Sequence, residues 1–245
     1  FSLGEKFREH AGALGTEFTE GEVIGLEKSG DIWKVTLSDG TVLESKAVIY
    51  AAGASPKTLG IKGEAEFTGR GVSYCALCDG AFFEGKAVAV IGGGDTALSD
   101  ALYLSGMAEK VYLIHRRDEF RGEAKQVEKL KTKENIEFVL NSTITELVGD
   151  DELSGVKVLD KVSGESRLIE VDGLFIAIGQ MPETAAFAPL ITLDGAGYIV
   201  AGEDCKTNVE GIFAAGDCRT KTVRQLTTAA ADGAVAALAA CAYID

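Results

Sequence analysis

Apolar and polar positions alternate along "DIWKVTLSDGTVLESKAVIYAAGA" (31–54), on either side of an Asp39-Gly40 pair. A period of two sends every second side chain to one face, and Asp-Gly between two such runs is a strong hairpin signal. The stretch therefore predicts a β-meander leading into an apolar strand and a turn of small residues. In "KAVAVIGGGDTALSDALYLSGMAEKVYLIHRRDEF" (86–120) the pattern changes to a continuous apolar run, a Gly-rich turn, a helical period and a second continuous apolar run. Continuous runs suit strands buried on both faces, so a βαβ unit of a parallel sheet is expected here. Residues 121–135 have the spacing of a charged amphipathic helix. Residues 136–178 read as three further strands, 211–217 as another, and the Ala-rich stretch from Thr222 to Tyr243 as a long helix.

Composition bounds what such a chain does. Its 245 residues, 46% hydrophobic and 25% charged, suffice for one or two domains with a sizeable core. Five cysteines, an odd number, do not make a secreted disulfide framework and fit a reducing, cytoplasmic setting. A formal charge of -14 argues against nucleic acid or an anionic membrane as partner, because either is repelled at long range. No uninterrupted apolar run reaches the ~18 residues of a membrane span. The segment "AAADGAVAALAACAYI" (229–244) contains an Asp and reads as a packed helix. The opening "FSLGEKFREH" has no signal or transit character and reads as the interior of an element.

Candidate chemistry begins at "SYCALCDG" (73–80), where Cys75 and Cys78 stand two residues apart beside Asp79. A zinc site needs four ligands, commonly a second Cys pair or two His at fixed spacing. Cys205, Cys218 and Cys241 are far apart and the histidines are His10 and His115, so no metal is expected. A structural staple or a redox dithiol remains, and a chain of this size does not need a staple to fold.

The turn "VIGGGDTA" places Gly92, Gly94 and Ala97 in a G-x-G-x-x-A pattern directly after a strand and at the start of a helix. That context makes a dinucleotide site the favoured reading over a plain Gly turn. Gly92 makes the tight turn, Gly94 lets a pyrophosphate approach the backbone, and Ala97 lets helix and strand pack closely. The helix N-terminus supplies positive potential, and Asp95 or Thr96 is expected to cap it. An NAD site has an Asp or Glu at the end of the second strand. Here the end reads "HRRDEFR", with Arg116, Arg117 and Arg121 after His115, and guanidinium forks suit a 2′-phosphate. NADPH is the expected nucleotide; the competing reading is a solvated Arg run with Arg121 paired to Glu123.

A dithiol shortly before a nicotinamide site implies electrons passing from nucleotide to disulfide, with a flavin as relay. Flavin signals follow in "GIFAAGDCR" (211–219) and in the Arg224-Gln225 pair that opens the last helix. Together the motifs Cys-x-x-Cys-Asp-Gly (75–80), Gly-Gly-Gly-Asp-Thr-Ala (92–97), His-Arg-Arg-x-x-x-Arg (115–121), Ala-Gly-Asp (215–217) and Arg-Gln (224–225) resemble, in order and spacing, those of the low-molecular-weight thioredoxin reductases of the class II pyridine nucleotide-disulfide oxidoreductases. The resemblance runs over essentially the whole chain.

It implies an α/β fold of two interleaved Rossmann-like, three-layer dinucleotide-binding domains. Residues 1–56 and 179–245 would form the FAD domain, incomplete at its N-terminus, and 57–178 the NADPH domain with the redox disulfide. NADPH falls to Gly92, Gly94, Asp95, Thr96, Ala97, His115, Arg116, Arg117 and Arg121. FAD falls to Gly53, Gly216, Asp217, Arg224, Gln225 and Leu226. In such enzymes the second cysteine, here Cys78, faces the flavin, Cys75 attacks the disulfide of a thioredoxin-like protein, and Asp79 moves a proton. A homodimer is implied as well, and Gly53 and Gly179 sit where hinges between the domains would be useful. Two departures stand out. Leu77 replaces the Thr most often found between the cysteines. No Gly-x-Gly-x-x-Gly turn for the FAD pyrophosphate precedes Gly92, so the resemblance places a segment upstream of Phe1, without which the chain would be an inactive NADPH-binding module. A related flavoprotein with another acceptor, such as a peroxiredoxin system, is the alternative within oxidoreductases; the NADPH fingerprint argues against ferredoxin- and oxygen-dependent relatives.

Overall fold

Asp39 and Gly40 make the turn that the alternation predicts. Thr41 N donates to Asp39 Oδ1 at 2.8 Å, and Gly40 takes φ 88°. The computed structural model describes residues 3–184 and 187–245. The chain folds as two compact units, one formed by the chain up to Ala54 together with Pro182–Asp245, the other by Ser55–Met181.

The first unit begins with α1 (Leu3–Ala13), which buries none of its residues. Strands β1 (Val23–Ser29), β2 (Ile32–Leu37) and β3 (Val42–Ser45) follow as an antiparallel meander, and then β4 (Val48–Tyr50). Trp33 of β2 is buried in one cluster with Leu26, Ile199 and Ile212. Strand β5 (Ala54–Pro56) leads out of this unit and is hydrogen-bonded to β14 (Gln180–Pro182), which leads back. Gly53 and Gly179 beside these connections have φ 73° and 105°, the left-handed region that glycine enters without penalty.

The second unit contains α2 (Glu64–Phe67), β6 (Val72–Ser73), α3 (Ala76–Asp79), a 3-10 turn (Gly80–Phe83), β7 (Ala87–Gly92), α4 (Asp95–Leu104), β8 (Lys110–Ile114), α5 (Ala124–Lys131) and β9 (Ile136–Val139). Then come β10 (Ser142–Gly149), β11 (Leu153–Asp160), β12 (Ser166–Glu170) and β13 (Gly173–Ala177). A parallel sheet of order β6-β13-β7-β8-β9 is its middle layer. The strands alternate their apolar residues between two cores. Val88, Val90, Phe175 and Ala177 pack with Ala97, Leu98, Ala101 and Leu104 of α4. Ala89, Ile91, Leu174 and Ile176 pack with Ile144, Leu147, Val156 and Ile169 of the antiparallel β10-β11-β12 sheet. Continuous apolar runs are what burial on both faces demands, and each fully buried Val, Leu, Ile or Phe among them contributes roughly 1.5–3 kcal/mol.

The structure corrects several expected boundaries. The three strands expected over 136–178 are five. The first run breaks at Asn141, whose φ of 52° turns the chain from β9 into β10 and from one sheet to the other. The last breaks at Val171-Asp172, where Asp172 N bonds Ala87 O at 2.9 Å and starts β13 in the parallel sheet. Helix α5 is shorter than predicted because the backbone amides of Arg121 and Gly122 go to Gly93 O, at 2.7 and 3.2 Å.

The chain re-enters the first unit at Pro182, adds β15 (Ile212–Ala214) parallel to β4, and passes through a 3-10 turn (Gly216–Cys218) into α6 (Leu226–Ile244). Helix α6 starts later than expected because Gln225 caps it reciprocally with Thr228. It has 19 residues, and an 18-residue stretch of it has a mean hydropathy of 1.4, long and apolar enough by length and composition to cross a bilayer. It is packed along one stripe only, Asp232, Ala236 and Ala240, rather than all round. Asp232 is the polar exception in that stripe. Arg219, 2% exposed, donates Nη2 to Oδ1 and Nε to Oδ2 at 2.7 and 2.8 Å, and Lys221 Nζ reaches Oδ2 at 2.8 Å.

Chiefly the Arg219 hydrogen bonds, then those of Lys221 and Gly216 N, hold the Asp232 carboxyl well below the usual carboxylate range despite its burial. A depressed folded pKa gives stability that is present above the unfolded value near 4 and lost as pH falls through the folded one. Asp232→Ala should cost about 3 kcal/mol at neutral pH by taking the buried counter-ion from Arg219 and Lys221, with the fully exposed Glu203 at 3.6 Å the acid that remains beside Arg219. Urea unfolding of wild type and variant checks this, with the gap narrowing in strong acid.

Candidate active site

Cys75 and Cys78 form a disulfide, with Cα atoms 5.3 Å apart, across the first turn of α3. The geometry follows from local structure: Cys75 is the extended N-cap of α3, and one helical turn brings residue i+3 beneath it. Cys78 N donates to Cys75 Sγ at 3.2 Å. Ala76 is buried among Ala97, Ala101 and Leu104, so the turn is anchored by its smallest side chain. Leu77 is 63% exposed, as is much of Phe82 in the next turn. Asp79 stands at the N-cap of the 3-10 turn without bonding it; its Oδ2 instead accepts from Ser73 Oγ at 2.6 Å.

At the carboxyl ends of β7, β8 and β13 lies a cleft of about 550 Å³. Its lining includes Gly92, Gly94, Thr96, His115, Arg116 and Arg121 of the expected nucleotide residues, with Lys57 as a third cation and no carboxylate. A Cβ on Gly92 would fall 2.3 Å from Ala177 O and 2.6 Å from Ala97 Cβ, so Ala97 acts by letting helix and strand close up. A Cβ on Gly94 would meet nothing within 4 Å, which leaves its backbone open to a phosphate. Asp95 does not cap α4, whose N-cap is Gly94; it is the first helical residue, and its Oδ1 accepts Glu123 N at 2.7 Å. The carboxylate thereby ties down the loop that carries the arginines. Arg117 is not part of the lining, and among the described residues none of the three arginines is ion-paired. A basic cleft over an open glycine backbone fits NADPH.

His115 is 5% exposed, stacked on Phe120 at 5.2 Å with Nε2 3.1 Å from Glu119 O. Burial, with the charges of Arg121 and Arg116 adding to it, pushes its pKa down, and hydrogen bonds to Glu119 and Gly92 oppose the shift. The ring explains the middle glycine of the turn, because a Cβ on Gly93 would fall 2.0 Å from His115 Cε1.

The other expected residues gather in the first unit. Gly216 has φ 77°, and its N–H donates to Asp232 Oδ2 at 2.9 Å. Backbone of Ala52 and Gly53 lies against the Cys218 thiol, which burial pushes up in pKa. Arg224 lies 3.9 Å over the Tyr198 ring, and Gln225 caps α6 ahead of the exposed Leu226. Asp217 Oδ1 is buried with no partner. A buried acceptor without a donor is costly, and a hydroxyl of FAD would supply one. The residues present therefore fit FAD.

The sequence profile of the pyridine nucleotide-disulphide oxidoreductase family matches residues 3–233. The thioredoxin reductase of Peptoclostridium acidaminophilum is 43% identical, covering 100% of this chain and 79% of its own, and that of Bacillus subtilis 40%, covering 99% and 77%. The crystal structure of thioredoxin reductase from Streptococcus pyogenes superposes with a TM-score of 0.93 at 37% identity, over 99% of this chain and 79% of that one. The chain belongs to the pyridine nucleotide-disulphide oxidoreductases, among the thioredoxin reductases.

For a member of this family the motifs mark the glycines and arginines but miss their supports. Lys57, Thr58, Ser142 and Thr143 line the cleft and stand in no motif spacing that singles them out, and Gly93, inside the glycine motif, is given no job by the spacing alone. The packing of Gly93 against His115 is testable. Gly93→Ala should lose about 1–3 kcal/mol by overpacking and weaken NADPH binding, and adding His115→Ala should recover most of the stability. Thermal melts with a nucleotide titration check this; additive losses in the double variant would contradict it.

Proposed function

We propose that this chain carries out the NADPH-dependent reduction of the disulfide of thioredoxin through the Cys75–Cys78 pair. FAD and NADPH are the cofactors of its family. The observation that carries the reading is a closed, surface-lying Cys75–Cys78 disulfide on the same parallel sheet as a basic, glycine-floored cleft.

In this reading Ser55–Met181 is the NADPH unit with the disulfide, and the remainder is the FAD unit. The open backbone at Gly94 and the start of α4 receive the pyrophosphate. Arg116 and Arg121 receive the 2′-phosphate, with Arg117 and His115 completing the loop. Gly53, Gly216, Asp217, Arg224, Gln225 and Leu226 hold FAD, which when bound passes an electron pair from NADPH to the disulfide. Once reduced, Cys75 attacks the partner's disulfide and forms a mixed disulfide. Cys78 then attacks Cys75, closing the pair and releasing the partner as a dithiol. Asp79 receives and returns the proton that the departing sulfur requires. Exposed Leu77 and Phe82 give the turn an apolar rim for a protein substrate. Cys205, Cys218 and Cys241 are free thiols, which supports a reducing cytoplasmic compartment, and the family supports a homodimer.

Two sets of variants test the assignment. Neutralising Arg116 and Arg121 to Gln should weaken NADPH binding about tenfold or more for each charge-assisted hydrogen bond removed and leave NADH nearly unchanged. Equal weakening of both nucleotides would refute the 2′-phosphate assignment. Replacing Cys75 or Cys78 by Ser should abolish NADPH-driven thioredoxin reduction, and turnover retained by either variant would remove the dithiol from the reaction.

A further inference from the structure

Ser73 ends β6 and is 6% exposed, yet it belongs to none of the chemical motifs. Its Oγ accepts the Cys75 N–H at 3.1 Å and lies 2.6 Å from Asp79 Oδ2 and 3.4 Å from Cys75 O. A hydroxyl has one hydrogen to give, and the short contact to a carboxylate takes it in preference to the long contact to a carbonyl. The result is a directed chain, Cys75 N–H to Ser73 O–H to Asp79 carboxylate, in which each bond polarises the next. A serine serving only the turn would bond the backbone two residues on and stop there. The bond to a carboxylate six residues away goes beyond that.

Among the described residues nothing else fixes this carboxylate. Asp79 makes no capping bond at its own N-cap position, and among the described residues no Lys or Arg is ion-paired with it. A side chain left free samples several rotamers, whereas a group that must exchange a proton with sulfur has to be held within hydrogen-bond reach of it.

We propose that Ser73 is a positioning residue for the dithiol, its hydroxyl fixing the Asp79 carboxylate within the turn that carries the two cysteines while its oxygen fixes the backbone of Cys75. The proposal rests on the disulfide-exchange reading of this turn. In that exchange Cys75 Sγ, having lost its proton, bonds one sulfur of the acceptor and expels the other as thiolate, which takes up a proton. Cys78 then gives its proton to Asp79 and bonds Cys75 Sγ. The Cys75–acceptor bond breaks, and the second acceptor sulfur leaves and takes the proton from Asp79. Two electrons and two protons pass from the dithiol to the acceptor, and the Cys75–Cys78 bond is restored. The closing step is the one that needs the acid in place.

The test uses the protein with its exposed free thiol removed by Cys241→Ser, reduced with dithiothreitol, freed of reductant, and mixed with an aromatic disulfide whose leaving thiolate is coloured. The first phase reports attack by Cys75 and the second closure by Cys78; because the coloured thiolate leaves without a proton, the second phase isolates the transfer of the Cys78 proton to Asp79. Ser73→Ala should slow the second phase about tenfold, the equivalent of one hydrogen bond to a charged group. Ser73→Thr, which keeps the hydroxyl, should stay within about twofold of wild type, and Ser73→Ala should add less than about twofold in an Asp79→Asn background. Where Ser73→Ala does not fold, Ser73→Gly removes the same hydroxyl. Wild-type second-phase rates without the hydroxyl, or fully additive effects with Asp79→Asn, would overturn the proposal. This measurement uses neither nucleotide nor flavin. A wild-type protein that closes its disulfide here but fails to reduce thioredoxin with NADPH therefore counts against the proposed function and leaves the role of Ser73 standing.

Discussion

The backbones of β7, β13 and α4 meet at Gly92 more closely than any side chain would allow. The space a Cβ would need there is already filled by Ala177 O and by the Ala97 methyl. Because that approach is possible, α4 begins directly over the end of β7, and the amides of its first turn face an open cleft instead of a packed strand. The neighbouring glycine admits the ring of His115, the residue after β8, and the next leaves bare backbone. Three consecutive residues without side chains thus do three different jobs: contact between strand and helix, room for a ring, and access for a ligand.

The parallel sheet then collects the chemistry. In a parallel sheet every strand ends on the same side, and ligands gather at the carboxyl ends. Strand β6 ends in Ser73, two residues before the disulfide; β7 ends in the glycine turn; β8 ends before His115 and Arg116; and β13 ends two residues before Gly179. The registers Ser73 with Phe175 and Gly92 with Ala177 bring the ends of β6 and β7 to either side of β13. The thiols and the nucleotide cleft therefore share one rim of one sheet, although 15 residues lie between Cys75 and Ile91, the last residue before the glycines. In the other unit the corresponding support is ionic. Asp232 takes the Gly216 amide and the Arg219 and Lys221 charges, and so fixes the turn next to the unpartnered Asp217.

Much of this was legible in the sequence because the signals are local. The meander, the βαβ unit and the dithiol turn each depend on residues within a few positions of one another, and period and turn chemistry report such contacts directly. The errors lie where a distant partner decides the outcome. Asp95 has the composition of a helix cap, but the Glu123 amide, brought beside it by the tertiary fold, takes its carboxylate. The stretch from 166 to 178 reads as one strand by its apolar content, and only the pairing of β13 with β7 shows where it changes sheets. Helix α6 reads as packed from its alanines, yet a two-stranded pairing of β4 and β15 supports one stripe of it. Ser73 carries no motif, and its contact with Asp79 becomes visible only once α3 has turned the carboxylate back toward β6.

The most direct measurement of the central claim is a count of reactive thiols at Cys75 and Cys78, by alkylation and mass spectrometry, before and after NADPH is added anaerobically to the FAD-loaded protein. Both should be blocked as a disulfide beforehand and both alkylated afterwards, while buried Cys205 and Cys218 remain unlabelled in the folded chain. Thiols at 75 and 78 that are open from the start, or a disulfide that NADPH leaves closed, would contradict the claim.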